Sequence, residues 1–324
     1  AYTALVEFNK NPYDLEPSIT VKELYDKWTP EYFKTLKSDD SARATTSAWQ
    51  YCSAVYDMRV MDVRARHIKG CMEEGVATVR GQEHTPSASM KNKIKTLFNQ
   101  MLDYAVEYEL VDRNYSRTFK LTDDTIKEIQ TVKKEHIPFS DDEMALLWKN
   151  LGHKYGIEFM IIQCYSGWRP CLWRPQELGL IELADVDLSN WTFKGGIKTD
   201  AGENRVVPIH PRIRDLVSKS YEEADQLGSK YLFNYTDEDR RGKNTKLTYN
   251  RYSKIFNRIR DELKLNPDHR PHDGRKHFVT KCKDAKVDEY AIKYMVGHKI
   301  SDITEKVYTA REFEWLRTEI EKIK

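Results

Sequence analysis

The sequence is poor in cysteine and lacks any long apolar run. Its 324 residues include five cysteines, which are scattered and form no C-x-x-C pair. That spacing argues against a disulfide framework and against a cysteine-based zinc site, and it fits a reducing compartment. Mean hydropathy is −0.73, and no uninterrupted apolar stretch approaches the ~18 residues that a membrane helix needs. An integral membrane protein is therefore excluded.

The chain also lacks an initiating methionine and a recognisable targeting segment. It begins Ala1-Tyr2-Thr3 and shows no signal-peptide or transit-peptide pattern. We therefore expect a processed or truncated chain from which an upstream region is missing.

Net charge is nearly absent overall but is unevenly distributed. The formal net charge is +2, yet the stretch from Asp239 to Lys283 holds 14 Lys or Arg against 5 Asp or Glu. This excess of nine positive charges leaves a net charge of −7 on the rest of the chain. A basic stretch in a nearly neutral protein indicates either a surface for a polyanion or a solvated face.

The first third of the chain predicts a small helical domain after an irregular arm. Residues 1–17 contain two prolines and no sustained periodicity, so we expect an arm or linker. Within residues 18–119, Thr20 and Glu23 have the spacing of a capping box. Further along, apolar residues recur at the 3-4 spacing of a buried helix face: Met90, Ile94, Leu97, Phe98, Met101, Leu102 and Ala105.

The remainder predicts a linker, a second domain and a tail. Residues 120–136 are polar and charged, which favours a tether between domains. Residues 137–311 read as helices around a short antiparallel meander, with strand-like pieces at 191–193, 197–199 and 205–209. Residues 312–324 form an amphipathic tail helix. The expected fold class is mainly α, in two domains, with a small antiparallel sheet in the C-terminal domain.

Four separated motifs in the second half carry the candidate chemistry. They are Cys164-Tyr-Ser-Gly-Trp-Arg169 with Arg174-Pro-Gln-Glu177; Gly196-Ile-Lys198-Thr199 with Arg205-Val-Val-Pro208; His272-Asp-Gly-Arg275-Lys-His277; and Val296-Gly297-His298, with Tyr308 ten residues after His298. Each motif alone is common in proteins. Their joint occurrence in this order is specific.

Together the motifs resemble the catalytic domain of the tyrosine recombinases, the phage-integrase family. The resemblance covers residues 137–324, and the final stretch, residues 297–309, is most similar to integrases of conjugative transposons. Residues 18–119 are similar to the family's core-binding domain in size and helical character only. The resemblance implies a two-domain clamp around double-stranded DNA, and an arm-binding domain upstream of Ala1 in many members.

The resemblance also implies roles for the residues of the motifs. Arg275 and an arginine at 169 or 174 would grip the phosphate oxygens with paired donors that a lysine cannot reproduce. His272 and His298 would add hydrogen bonds to the same phosphate. Tyr308 would be the nucleophile that forms a 3′-phosphotyrosine, and Lys198 would protonate the departing 5′-hydroxyl. This chemistry requires no cofactor, metal or ATP.

The first motif departs from the family pattern because Trp-Arg-Pro occurs twice, at residues 168–170 and 173–175. Arg169 keeps the spacing to the Ser-Gly turn, whereas Arg174 keeps the three-residue spacing to Glu177. Since residues three apart share a helix face and Pro175 suits a first helical turn, the pattern favours Arg174.

Further expectations concern partners. We assign DNA contacts to Lys276, His277, Arg251, Arg258 and Arg260. We expect a homo-oligomer assembled on the DNA in the bacterial cytosol, with a possible accessory DNA-bending or excision factor. On the tail helix, Phe313, Leu316, Ile320 and Ile323 share one face, and this face could dock on its own domain or, as the resemblance favours, on a neighbour in trans. A type IB topoisomerase and a DNA-binding protein with a decayed site are the competing interpretations.

Overall fold

The computed structural model describes residues 19–36, 39–132, 135–170, 177–196, 204–235, 246–298 and 313–324. The chain divides into two compact units, residues 1–134 and 135–324. The expected N-terminal arm and the strand-like piece at 197–199 lie outside the described residues. Within the described ranges, no helix combines the length and the apolar character that crossing a bilayer requires.

The first unit is helical with one short hairpin. Its helices are α1 (Val21–Thr35), α2 (Asp39–Trp49), α3 (Ala65–Glu73), α4 (Ala88–Glu107) and α5 (Asp123–Val132). Strands β1 (Ala77–Val79) and β2 (Gln82–His84) pair antiparallel. Short 3-10 helices cover Gln50–Val55, Val60–Asp62 and Tyr115–Thr118.

Two sequence patterns of this unit are confirmed. The hydroxyl of Thr20 accepts from the Glu23 N–H at 3.2 Å, and the Glu23 carboxylate accepts from the Thr20 N–H at 2.9 Å, so the capping box starts α1. The predicted apolar stripe lies on α4, where six of its seven members are buried in the core of the unit and Met90 is partly buried. The hydrophobic effect therefore fixes α4 as the central helix.

The segment expected to be a linker contains α5. Thr122 Oγ1 accepts from the Thr125 N–H at 3.2 Å, and Asp123 and Asp124 lie in the first turn, where a carboxylate interacts favourably with the helix dipole. Thr125 is buried, and α5 packs on α4. The polar composition gave no sign of this helix, because its stability comes from its cap and from packing. The first unit thus extends well beyond residue 119.

The second unit is built around a buried helix. Its helices are α6 (Asp141–Lys149), α7 (Ile157–Ser166), α8 (Arg214–Gln226), α9 (Tyr249–Glu262), α10 (Asp273–Asp284), α11 (Glu289–Val296) and α12 (Phe313–Ile320). Further single turns of 3-10 helix cover Leu178–Leu180, Leu183–Asp185 and Pro211–Ile213.

Helix α7 is the centre of this unit and packs along α10. Nearly every residue of α7 is buried. The helix ends at Gly167, which has φ +66 and lies so close to α10 that a Cβ there would be 2.3 Å from the Phe278 ring. Only glycine fits both the left-handed backbone and this close approach.

A three-stranded antiparallel sheet flanks the helices. Its order is β3 (Val186–Asp187), β4 (Thr192–Gly195) and β5 (Arg205–Pro208). Phe193 pairs with Val207 and Gly195 with Arg205. Strands β4 and β5 confirm two predicted strand pieces, whereas β3 had no strand signal in the sequence. The structure confirms the expected fold class, mainly helical with a small antiparallel sheet in the C-terminal unit.

The tail helix docks on its own unit. Leu316, Ile320 and Ile323 are buried in the core that α7 and α10 share. His210 Nε2 lies 2.9 Å from the carbonyl oxygen of Ile323, and Glu319 Oε2 accepts from the Asp288 N–H at 2.8 Å. In a single chain the apolar face of the tail thus completes the core of its own unit. Docking on a neighbour in trans stays a prediction.

Candidate active site

The N-terminal end of α10 places Arg275 against the ends of two other helices. Its Nη1 donates to the carbonyl of Gly167 at 2.8 Å, and its Nη2 donates to the carbonyl of Val296 at 2.5 Å. These carbonyls end α7 and α11, where the helix dipoles favour a cation. Arg275 is only 8% exposed. It therefore fixes the relative positions of three elements as well as presenting a charge.

Two more arginines and one carboxylate surround this position. Arg169 Nη1 lies 3.2 Å from Glu177 Oε1, and Arg205 Nη2 lies 3.8 Å from Glu177 Oε2. Arg205 also donates from Nε to the carbonyl of Met295 at 3.0 Å and stacks 3.8 Å from the centre of the Trp168 ring. Glu177 and Trp168 are buried. We call Arg169, Arg205, Arg275 and Glu177 the arginine cluster.

The arginine cluster carries more positive charge than its carboxylate neutralises. Burial, and then the charges of Arg169 and Arg205, lower the pKa of Arg275 to about 9. Burial likewise lowers the pKa of Arg205 to about 10, with Glu177 acting in the opposite direction. Three guanidiniums around one carboxylate leave a net charge of about +2 in a place of low dielectric. The arrangement is suited to bind an anion.

His298 lies beside this charge. It follows Gly297, the left-handed residue that ends α11. Loss of water contact, followed by the charges of Arg275, Arg169 and Arg205, lowers its pKa. The influence of all three arginines on one imidazole indicates that His298 lies near the arginine cluster. The residue is exposed.

His272 directly precedes α10, three residues before Arg275. Its ring centroid lies 5.5 Å from that of His136. The structure thus gathers Arg169, His272, Arg275 and His298 around the ends of α7, α10 and α11. Arg174, Lys198 and Tyr308 lie outside the described residues.

Sequence reasoning gave no role to three residues of this site. Glu177 and Arg205 stood inside quoted motifs, and their paired charges were the only available signal. Trp168 gave no signal, because the sequence around it does not indicate that it stacks on Arg205, 37 residues further along the chain. Their contacts depend on tertiary structure.

The residues assigned to DNA contact differ in their surroundings. Lys276 is exposed on α10. His277 is buried, its Nδ1 lies 3.0 Å from the carbonyl oxygen of Phe139, and burial lowers its pKa to about 4. The assignment of His277 to DNA is therefore corrected. Its side chain is a packing residue.

The three arginines of α9 each donate to a backbone carbonyl of their own unit. Arg251 donates to Lys246 at 2.8 Å, Arg258 to Tyr155 at 2.9 Å and Arg260 to His269 at 3.2 Å. Of the three, only Arg258 is exposed. Each arginine therefore has a structural contact whatever else it binds. Over the described part of the chain, no three His, Cys, Asp or Glu side chains are grouped so that they could hold a metal ion.

Several solved structures have a fold similar to that of this chain. The Tn1549 transposon integrase in complex with circular intermediate DNA has a similar structure, with a TM-score of 0.64, 17% identity and coverage of 94% of this chain and 99% of that one. A lambda integrase dimer bound to a core site gives a TM-score of 0.62, 13% identity and coverage of 90% and 95%. A lambda integrase tetramer bound to a Holliday junction gives a TM-score of 0.63 and 14% identity, with coverage of 97% of this chain and 83% of that one. No curated protein sequence matches the chain.

At such identities the solved structures establish the two-domain fold. In sequence, residues 168–314 match the phage integrase family. The matched range holds the arginine cluster, His272, His298 and Tyr308. Residues 168–314 are therefore similar to the phage integrase family.

Proposed function

We propose that the chain is a site-specific recombinase that excises and inserts a mobile element through a 3′-phosphotyrosine intermediate. The observation that carries this proposal is the arginine cluster. Its excess positive charge is buried and needs an anion to balance it, and a phosphodiester in its transition state is an anion with several acceptor oxygens. No step of the proposed reaction uses a metal or ATP.

Arg275 and Arg169 form the proposed phosphate clamp. Arg169 is supported by its contact with Glu177 and by its effect on the pKa of Arg275, which places the two guanidinium charges near each other. In addition, the Leu178 N–H donates to the Arg169 carbonyl at 3.2 Å, so Arg169 of the first Trp-Arg-Pro lies beside the residue that follows Glu177. Comparing cleavage by Arg169→Ala and Arg174→Ala tests this choice, and the larger defect is expected in Arg169→Ala.

The bonds exchange as follows. The Tyr308 hydroxyl gives its proton to water as its oxygen attacks the phosphorus, and the bond from phosphorus to the 5′-oxygen breaks. Lys198 gives a proton to the departing 5′-oxygen. His272 and His298 donate to the phosphate oxygens. Because the phosphotyrosine retains the bond energy, a 5′-hydroxyl of a second strand can attack it, which restores the tyrosine and joins the new strand.

The proposed partners are double-stranded DNA and further copies of the chain. Lys276 and Arg258 are exposed cations of the second unit and suit phosphate contacts, and we extend the assignment to Arg251 and Arg260. The transposon and lambda integrases named above are found on DNA, the latter as a dimer and as a tetramer. We propose an assembly on paired sites in the bacterial cytosol, with an accessory bending or excision factor as a further partner.

Trapping the covalent intermediate tests the proposal. The chain is incubated with nicked duplexes made from the ends of the element that carries its gene, so that the short 5′-fragment diffuses away after cleavage. We expect a covalent protein–DNA product in the wild type that is lost in Tyr308→Phe. A product that persists in Tyr308→Phe, or no product with any duplex, contradicts the proposal.

A further inference from the structure

The first residues of the second unit contact α10 and the residues just before it. The carbonyl of Glu135 accepts from Arg270 Nη2 at 2.7 Å, His136 Nδ1 lies 2.6 Å from Asp273 Oδ1, and His277 Nδ1 lies 3.0 Å from the carbonyl oxygen of Phe139. Residues 270, 273 and 277 are spaced by three and four, so their contacts follow one face of the chain that leads into and through α10. The helix that carries Arg275 is thus tied to the segment 135–139.

Asp273 is the centre of these ties. It is fully buried, and its Oδ2 accepts from the Arg270 N–H at 2.9 Å and lies 3.1 Å from His269 Nδ1. His269 reaches Glu143 Oε2 with its other nitrogen at 3.1 Å. Although burial opposes a charge on His269, its hydrogen bonds to Asp273 and Glu143 raise its pKa. Inward of Asp273, His269 is therefore buried and has a hydrogen-bond partner at each ring nitrogen.

His136 is the outer end of this network. Its side chain is 45% exposed, whereas that of Asp273 is 0% exposed. At 2.6 Å, the contact of Asp273 with His136 is shorter than its contacts with Arg270 and His269. Because Asp273 follows His272 directly, the same ring that bonds to Asp273 also lies against the His272 ring, with centroids 5.5 Å apart and planes inclined at 45°.

We propose that His136 is a positioning residue for DNA cleavage, which holds His272 in its phosphate-binding orientation through its hydrogen bond to Asp273. This inference rests on the proposed function, in which His272 donates to the scissile phosphate. A hydrogen bond to Asp273 sets the direction of the His136 ring, and the ring limits the positions open to His272. His136 contacts protein groups, and we assign it no contact with the phosphate.

Three replacements separate the actions of the ring. His136→Asn keeps an amide donor near the place of Nδ1, so that the bond to Asp273 remains. His136→Gln places its amide near Nε2 and loses that bond, and His136→Phe keeps the ring without any donor. His153→Phe is the matched control, because His153 is an exposed histidine of the turn after α6.

Single-turnover formation of the covalent complex is measured at saturating DNA, together with DNA affinity and thermal unfolding. We expect His136→Phe and His136→Gln to slow cleavage by about tenfold to a hundredfold, since small misplacements cost that much, with DNA affinity unchanged. His136→Asn should remain within about threefold of the wild type.

Three outcomes overturn the inference. Cleavage by His136→Phe at the wild-type rate removes any role for His136. Activity that is retained by His136→Gln rather than by His136→Asn shows that His136 acts through a direct contact of its Nε2. Losses of rate that follow losses of thermal stability across all three variants show a structural role alone. A wild-type chain that forms no covalent complex overturns the proposed function, and this inference with it, whereas the first three outcomes leave the proposed function intact.

Discussion

Glu177 lies between two guanidiniums, and its carboxylate is 2% exposed. Replacing it with alanine leaves the buried charges of Arg169, Arg205 and Arg275 without their counter-ion. Removing one partner of a buried ion pair typically costs about 3–5 kcal/mol. We expect Glu177→Ala to lower the free energy of unfolding in urea by an amount of that order, and added sulfate to restore part of it by supplying an anion. Equal stabilisation of variant and wild type by sulfate would contradict this account.

Lys198 has a test that depends on its chemistry alone. A 5′-bridging phosphorothiolate leaves without needing a proton, so loss of a general acid is largely masked on that substrate. We expect Lys198→Ala to slow cleavage of ordinary DNA much more than cleavage of the phosphorothiolate. Arg275→Ala is the contrasting variant, since a missing phosphate contact impairs both substrates. If Lys198→Ala has equal defects on the two substrates, the role belongs to another residue.

His277 makes stability depend on pH. Its pKa is lowered to about 4 by burial, whereas an unfolded histidine titrates near ~6.5. The unfolded chain therefore binds the proton more readily than the folded chain. As pH falls from the pKa of His277 in the unfolded chain towards its pKa in the folded chain, His277 lowers the free energy of unfolding by up to about 3 kcal/mol. We expect urea unfolding between pH 7.5 and pH 5 to show a larger loss in the wild type than in His277→Asn. His153→Asn, at an exposed position, should behave as the wild type does.

Single residues also show where sequence reasoning stops. The order of the motifs indicated that His272, Arg275 and His298 belong to one site, and the structure brings them to the ends of three helices. The spacing of the repeated Trp-Arg-Pro favoured Arg174, whereas the contacts of Arg169 with Glu177 and Leu178 support Arg169. The burial of His277 was hidden, because a histidine in a basic segment reads as a surface residue.

At the scale of elements, the tail helix α12 offers a stability test. Ile320 is 1% exposed and lies in the core of the second unit. Truncating a buried isoleucine to alanine costs about 2–5 kcal/mol. We expect Ile320→Ala to destabilise the isolated chain by that amount, while Thr318→Ala on the exposed face changes little. A chain ending at Ala310 should lose cooperative unfolding of the second unit. Unchanged stability of both variants would show that the tail is not part of its own core.

Elements with strong local signals were predicted well, and those that depend on tertiary packing were not. The cap of α1 and the stripe of α4 are properties of neighbouring residues, so the sequence suffices to find them. Helix α5 was missed because its composition is polar, and its stability derives from a threonine cap and from packing on α4. The docking of α12 depends on a cavity that only the folded second unit creates.

At the scale of the whole molecule, DNA affinity should depend strongly on salt. Each phosphate contact lowers log K by roughly 0.9 per unit of log salt. We expect Lys276→Ala to weaken binding evenly across sequences and to reduce that slope by about one. Arg258→Ala should have the same effects on binding, and it should also lower stability because the hydrogen bond from Arg258 to the Tyr155 carbonyl is lost. A salt slope near zero in the wild type would rule out a phosphate-dominated interface.

The central claim is that the arginine cluster takes up the charge of the scissile phosphate, and one measurement tests it directly. Cleavage rates of wild type and Arg275→Ala are compared on a phosphodiester and on a methylphosphonate, which lacks the negative charge. On the phosphodiester, Arg275→Ala should cleave more slowly than the wild type by about a hundredfold or more. On the methylphosphonate it should be slower by less than about tenfold. Such a rescue would also show that the variant is folded. The same loss on both substrates would contradict the claim.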